Sequence, residues 1–327
     1  MNEIYERSPT RVDLAGGTLD CWPLYLFLDN PVTVNVAIDI FTHCWLTERK
    51  DLKIVLESDD LKAKKEYPNL EAAISDTQPE FELYRAHLKF WRPTKGLHLR
   101  TKSESPIGGG LGGSSSLCIS MLKAFTKWMG AQIDQYEMVR VASHIEAQVL
   151  QKPTGTQDYF PPIFGGVCFI EYGVIGPRIT KGEFNHEAFE GRFLLVYTGK
   201  QHHSGINNWQ VIKNYLDGDP KPKAALQKLA VVSKDLQKAW IERRIEDLPK
   251  LFDREYDART ELSEGFSSPE IKKLKALASS VGASAKICGA GGGGCVLIWC
   301  PDKQTEKMAK LCEDNKFTVL KTKPWQG

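Results

Sequence analysis

Hydrophobic positions along the chain switch between a period of two and a period near 3.6, which separates strand-like from helix-like stretches. Arg11-Val12-Asp13-Leu14 reads as a strand that runs into glycines. Pro31–Ile38 alternates and is rich in β-branched residues, which suit a pleated, half-buried surface. Asp51–Glu57 is a third short run of this kind. Residues 59–95 are polar and interrupted by prolines, with a helix expected around Phe81–Trp91. Gly96–Lys102 alternates again before a glycine-rich stretch, and from Ser114 to Met129 the pattern turns helical, with Leu117, Met121, Leu122 and Phe125 on one face. A second helix is expected over Tyr136–Leu150, followed by a loop from Gln151 to Asp158.

Beyond Gly166 short apolar runs return at Val167–Tyr172 and Phe193–Thr198. Residues 221–281 read as largely helical, with breaks near Glu242, Gly265 and Pro269. The last segment reads as strand Ala285–Cys288, a glycine run, strand Cys295–Cys300, helix Gln304–Cys312 and strand Phe317–Leu320. Strands and helices interleave without an internal repeat. An α+β fold of two domains, 1–185 and 186–327, is expected, with the boundary between Ile175 and Glu190.

Composition narrows the function classes. A chain of 327 residues with 42% hydrophobic and 26% charged residues is of ordinary globular make-up. Its net charge of +2 weakens any case for a protein built around nucleic acid or a membrane surface. Residues 1–10 do not resemble a secretory leader, and no apolar run approaches the roughly 20 residues of a membrane helix. The 8 cysteines form no Cys-x-x-Cys pair and no zinc-like spacing with histidine, so reduced thiols in a cytoplasmic protein are expected.

The strongest local chemistry lies in Pro106-Ile107-Gly108-Gly109-Gly110-Leu111-Gly112-Gly113-Ser114-Ser115-Ser116. Glycines let backbone N–H groups approach a ligand closely, and a serine-capped helix N-terminus adds free N–H groups and the positive end of the dipole. Together these suit a phosphate. Five glycines in six residues, followed by three serines, favour that reading over a flexible capped turn. No lysine stands where a Walker loop needs one. A Gly-x-Gly-x-x-Gly match exists at Gly108, Gly110 and Gly113, but another occurs at Gly289, Gly291 and Gly294 before a strand, so a dinucleotide site is a poor second.

Two more stretches carry polar residues in order: Arg11 to Asp20, a strand ending in a tight turn, and Glu146 followed by Pro153-Thr154-Gly155-Thr156-Gln157-Asp158. Singly, each has a bland reading: a surface ion pair, a solvated helix face, a turn aspartate. In combination with the glycine loop, they resemble the GHMP kinase family of small-molecule kinases. Pro106–Ser115 is similar to that family's ATP loop, Arg11–Asp20 to its N-terminal motif and Lys286–Cys295 to its C-terminal glycine motif. The wording is closest to the heptose 7-phosphate kinase branch of sugar kinases.

The resemblance implies an N-terminal domain of mixed sheet and helices (ribosomal S5 domain 2-like) and a ferredoxin-like C-terminal domain, with substrate between them. It implies ATP phosphates on Pro106, Gly108, Gly109, Gly110, Leu111, Gly112, Gly113, Ser114 and Ser115, with Mg²⁺ held by Ser114 and Glu146. Asp158 matches the catalytic base and Arg11 the basic residue beside it. Asp20, Gly17, Thr18, Gly291 and Gly292 match the substrate side. Gly17-Thr18 stand where galactokinases carry Glu-His, which puts galactose itself in doubt, and Gly113 replaces a loop serine. The expected activity is transfer of the γ-phosphate of ATP to a hydroxyl of a sugar or sugar phosphate by a monomer or homodimer. A mevalonate-type kinase and a catalytically silent nucleotide-binding regulator are the alternatives.

Other residues have plainer readings. The loop Thr198–Gly205, with His202 and His203, is dense in donors and suits a substrate phosphate or solvent about equally. Trp209, Trp240 and Trp299 read as packing residues, Cys288 and Cys295 as small buried strand residues, and the alternating charges of 241–259 as the wet face of a helix.

Overall fold

Alternation and β-branching produce two long opening strands in the computed structural model, which describes residues 3–201, 204–289, 291–301 and 304–327. In chain order these are β1 (Glu3–Ala15) and β2 (Val32–Glu48), then β3 (Ile54–Ser58), β4 (Ala63–Tyr67), α1 (Leu70–Ser75), α2 (Glu82–Trp91) and β5 (Leu97–Ser103). Two longer helices follow, α3 (Gly113–Met129) and α4 (Gln135–Leu150), then the short α5 (Phe160–Phe164) and the hairpin β6 (Val167–Gly173) and β7 (Gly176–Gly182).

These strands form one sheet in the order β4-β3-β5-β2-β6-β7, with β1 also paired along β2. All pairings are antiparallel except β3 with β5. Packing α3 on the sheet places Met121 and Phe125 against Cys44, Leu46 and Leu99. Each such buried apolar side chain contributes about 1.5–3 kcal/mol.

The second half comprises α6 (His186–Phe189), β8 (Phe193–Tyr197), α7 (Ser204–Leu216), α8 (Pro220–Ile241), α9 (Leu248–Leu262), α10 (Pro269–Ser280), β9 (Ser284–Ile287), β10 (Cys295–Trp299), α11 (Thr305–Asp314) and β11 (Thr318–Leu320). Its strands form a separate antiparallel sheet in the order β11-β8-β10-β9. Numbered along the chain, that is the 4-1-3-2 order of a ferredoxin-like unit.

Both halves share one core. Val12, Val34 and Leu111 from the first pack with Leu236, Phe252 and Trp299 from the second. The C-terminal tail recrosses the junction: Trp325 N donates to Ala37 O at 2.8 Å, and Asp39 N to Lys323 O at 3.0 Å. No helix of the described residues is long and apolar enough to cross a membrane.

Several expectations are corrected. β4 and α1 occupy a stretch read as polar and irregular. The helix after the glycine loop starts at Gly113, with Gly112 at its N-cap in a left-handed conformation, so no serine caps it. Glu255 and Arg259 of the segment read as a wet helix face are wholly buried, because they pair with Asp13 and Lys286 from distant strands. Trp240 and Trp299 are core residues, whereas Trp209 is 44% exposed.

Candidate active site

The glycine loop is held from beneath by its carbonyl groups. Arg11 N donates to Leu111 O at 3.0 Å, Cys295 N to Gly109 O at 2.7 Å and the Arg11 guanidinium to Gly110 O at 2.6 Å. Buried Leu111 anchors it in the shared core. Gly108, Gly110 and Gly112 take φ values of 64°, 73° and 67°, a region costly for other residues. The loop delivers the chain to the start of α3, whose first N–H groups lack helical partners and carry the positive end of the dipole.

At the same place Arg11, on β1, donates to Asp158 Oδ1 through Nε at 2.9 Å and through Nη2 at 2.7 Å. Burial works against the Arg11 charge, but Asp158 and Asp13 outweigh it and its pKa is raised further, so it stays protonated. Asp158 sits in a single turn just before α5 and is partly open to the cleft. A Cβ on Gly112 would lie 3.4 Å from the Asp158 Cβ, so loop and carboxylate are direct neighbours. The cleft of about 350 Å³ is lined by both.

Glu146, on α4, is buried rather than solvated. Ser115 Oγ donates to its Oε2 at 2.7 Å, Tyr159 OH donates to the same oxygen, and Ser114 also reaches it. Burial raises its carboxyl pKa, partly offset by these hydroxyls. No cationic side chain pairs with it among the described residues. A buried carboxylate ringed by hydroxyls and without a protein cation has the hard oxygen chemistry that suits Mg²⁺.

Across the cleft, the Gly16–Asp20 turn places Asp20 in a buried position, where Oδ2 accepts from Gln157 N at 3.0 Å. Burial, followed by the Asp158 charge, pushes its carboxyl up to about 7. Gly155 is required here, because a Cβ would overlap the Asp20 carboxylate. Thr18 Oγ1 donates to Asn208 Oδ1 at 3.0 Å, bringing α7 to the same wall. Gly17 lines the cleft as well.

Arg11, Gly17, Thr18, Asp20, the 106–115 loop, Glu146 and Asp158 therefore meet in one cleft. Gly291 and Gly292 do not line it: Gly292 N donates to Phe266 O at 3.1 Å, and Gly289 takes the place expected of them. His202 and His203 of the donor-rich loop lie outside the described residues, and Lys200 there pairs with Glu270 at 2.8 Å. Sequence reasoning missed Gln157, Tyr159, Asn208 and Arg259. The first two flank Asp158 and could have been found by proximity; Asn208 and Arg259 carry no local signal.

Both halves of the chain match known proteins. Residues 78–166 match the GHMP kinases N terminal domain and residues 235–314 the GHMP kinases C terminal domain. The chain is 28% identical to the D-glycero-alpha-D-manno-heptose 7-phosphate kinase of Campylobacter jejuni, covering 100% of both. Its fold is that of Lactococcus lactis galactokinase, at TM-score 0.80 and 18% identity over 99% of this chain and 93% of that one. It is likewise that of the Methanococcus jannaschii mevalonate kinase, at TM-score 0.76 and 20% identity over 99% and 98%. Matched in both halves and aligned end to end with a phosphotransferase, the chain is a kinase and belongs to the GHMP kinase family.

Proposed function

We propose that the protein transfers the γ-phosphate of ATP to a hydroxyl of a sugar or sugar phosphate, of heptose 7-phosphate or hexose type. The observation that carries this reading is the position of Arg11, which bonds the glycine loop at Gly110 O and the carboxylate of Asp158 with one guanidinium. A residue that ties the phosphate loop to a base suits phosphoryl transfer, where positioning and charge stabilisation supply most of the rate.

In this reading the loop from Pro106 to Ser115 and the start of α3 cradle the triphosphate. Asp158 takes the proton of the acceptor hydroxyl while its oxygen bonds to the γ-phosphorus; the bond from that phosphorus to the β–γ bridging oxygen breaks, and ADP leaves. Arg11 orients Asp158 and offsets charge on the transferring group. Ser114, Ser115 and Glu146 would hold Mg²⁺, which when bound neutralises charge on the phosphate oxygens. Asp20 accepts hydrogen bonds from sugar hydroxyls, with Gly17 and Thr18 shaping that wall.

The kinship with a heptose 7-phosphate kinase supports a sugar acceptor. Eight free, buried cysteines fit a cytoplasmic protein, monomeric or a homodimer, whose domains divide near residue 185. ADP release across hexoses, heptose phosphates, mevalonate and homoserine tests the reading. Turnover confined to sugars or their phosphates is expected; turnover confined to mevalonate would contradict it.

A further inference from the structure

Gln157 is the residue before the proposed base. It is 5% exposed and lines the cleft between Asp158 and Asp20. Its main-chain N–H already holds Asp20 Oδ2 at 3.0 Å. Its side-chain carbonyl is held from behind: Oε1 accepts from Asn35 Nδ2 at 3.1 Å, and that amide also donates to Thr33 Oγ1 at 3.3 Å. Asn35 and Thr33 are wholly buried on β2. With Oε1 tied to the sheet, Nε2 is left beside Gly17, which lines the same cleft. A Cβ on Gly17 would lie 3.0 Å from Nε2. Among the described residues, Nε2 has no hydrogen-bond partner.

A buried amide with one end tied and the other end open beside a carboxylate forms a donor–acceptor pair. We infer that Gln157 is a specificity-determining residue that donates from Nε2 to a hydroxyl adjacent to the reacting one, while Asp20 accepts that hydroxyl's proton in a hydrogen bond. The acceptor class is then a vicinal diol, and Asn35 is the positioning residue that holds the amide in this orientation. A site built to bond a hydroxyl rejects the analogue lacking it, because its own polar groups would be left unpaired. This inference rests on the sugar-kinase reading above.

The test uses the full chain with a sugar it phosphorylates and the matching sugar lacking the adjacent hydroxyl. Gln157→Met keeps the side-chain volume but removes both the donor and the Oε1 tie to Asn35; Gln157→Glu keeps an oxygen for Asn35 and replaces the donor with an acceptor. Both are expected to raise the acceptor KM at least about tenfold, with the KM for ATP unchanged. Wild-type enzyme should discriminate between the sugar and its deoxy analogue, and Gln157→Met should lose most of that discrimination. Asn35→Leu should raise the acceptor KM in the same direction with kcat less affected, and an unchanged ATP-induced rise in Tm would show that each variant is folded. Equal discrimination in wild type and both Gln157 variants would overturn this inference alone. Failure of the wild-type chain to phosphorylate any vicinal diol would overturn it together with the sugar-kinase reading.

Discussion

Both donor nitrogens of Arg11 that reach Asp158 converge on one oxygen, Oδ1, at 2.9 and 2.7 Å. Oδ2 takes no hydrogen bond among the described residues, and the Asp158 side chain is 26% exposed toward the cleft. One oxygen is thus held by Arg11 and the other is open to the cleft, which is the arrangement the proposed base role needs.

Gly155 fixes the distance between the two aspartates' loops. Because a Cβ there would overlap the Asp20 carboxylate, Gly155→Ala should displace Asp20 from the acceptor wall. Acceptor KM is expected to rise at least about tenfold, with the KM for ATP little changed, in steady-state assays with each substrate varied. An equal rise in both would place Gly155 in the nucleotide half instead.

The folded-state carboxyl of Asp20, at about 7, lies above its ordinary 3.8. A group raised in this way favours the folded state fully below about pH 4, and that contribution is lost as pH rises through 7. The upper bound is on the order of 4 kcal/mol. Asp20→Asn should therefore raise Tm at pH 8 and show almost no gain at pH 4, while weakening the acceptor at both. Thermal melts across that range check the sign.

Arg259 is the centre of a buried charge network, 3.1 Å from Asp13 and 2.6 Å from Glu255, with Lys286 also within 3.4 Å of Asp13. Arg259→Met leaves two buried carboxylates with one cation. A loss of about 3–5 kcal/mol in denaturant unfolding is expected, and Arg259→Lys should lose less.

Glu146→Gln removes the only carboxylate among the proposed Mg²⁺ ligands. The Mg²⁺ concentration giving half-maximal rate should rise at least about tenfold. Since burial raises the Glu146 pKa, the neutral amide should not lower Tm at pH 8. A destabilised variant with unchanged Mg²⁺ dependence would mark Glu146 as structural.

The glycine loop and its following helix were legible in the sequence because they are local: backbone freedom, N-terminal N–H groups and apolar spacing lie within two dozen residues. Arg11, Asp158 and Glu146 were legible only through motif order, since nothing local tells an aspartate that lines a cleft from one in a solvated turn. Charge alternation misled at Glu255 and Arg259, because an i, i+4 pair looks the same on a wet face and in a core. Only Asp13 and Lys286, far away in sequence, determine which it is. Ala63–Tyr67 escaped notice because an edge strand dotted with lysine and glutamate carries no apolar run. Thr18 and Asn208 meet across 190 residues, a contact no spacing rule reaches.

The most direct test of the account is a single-turnover assay of Asp158→Asn with ATP, Mg²⁺ and an accepted sugar, beside the ATP-induced shift in Tm. The account predicts a rate at least about 10³-fold lower with the shift retained, because the base is removed and the phosphate loop is left intact. A variant that phosphorylates the sugar at the wild-type rate would contradict it.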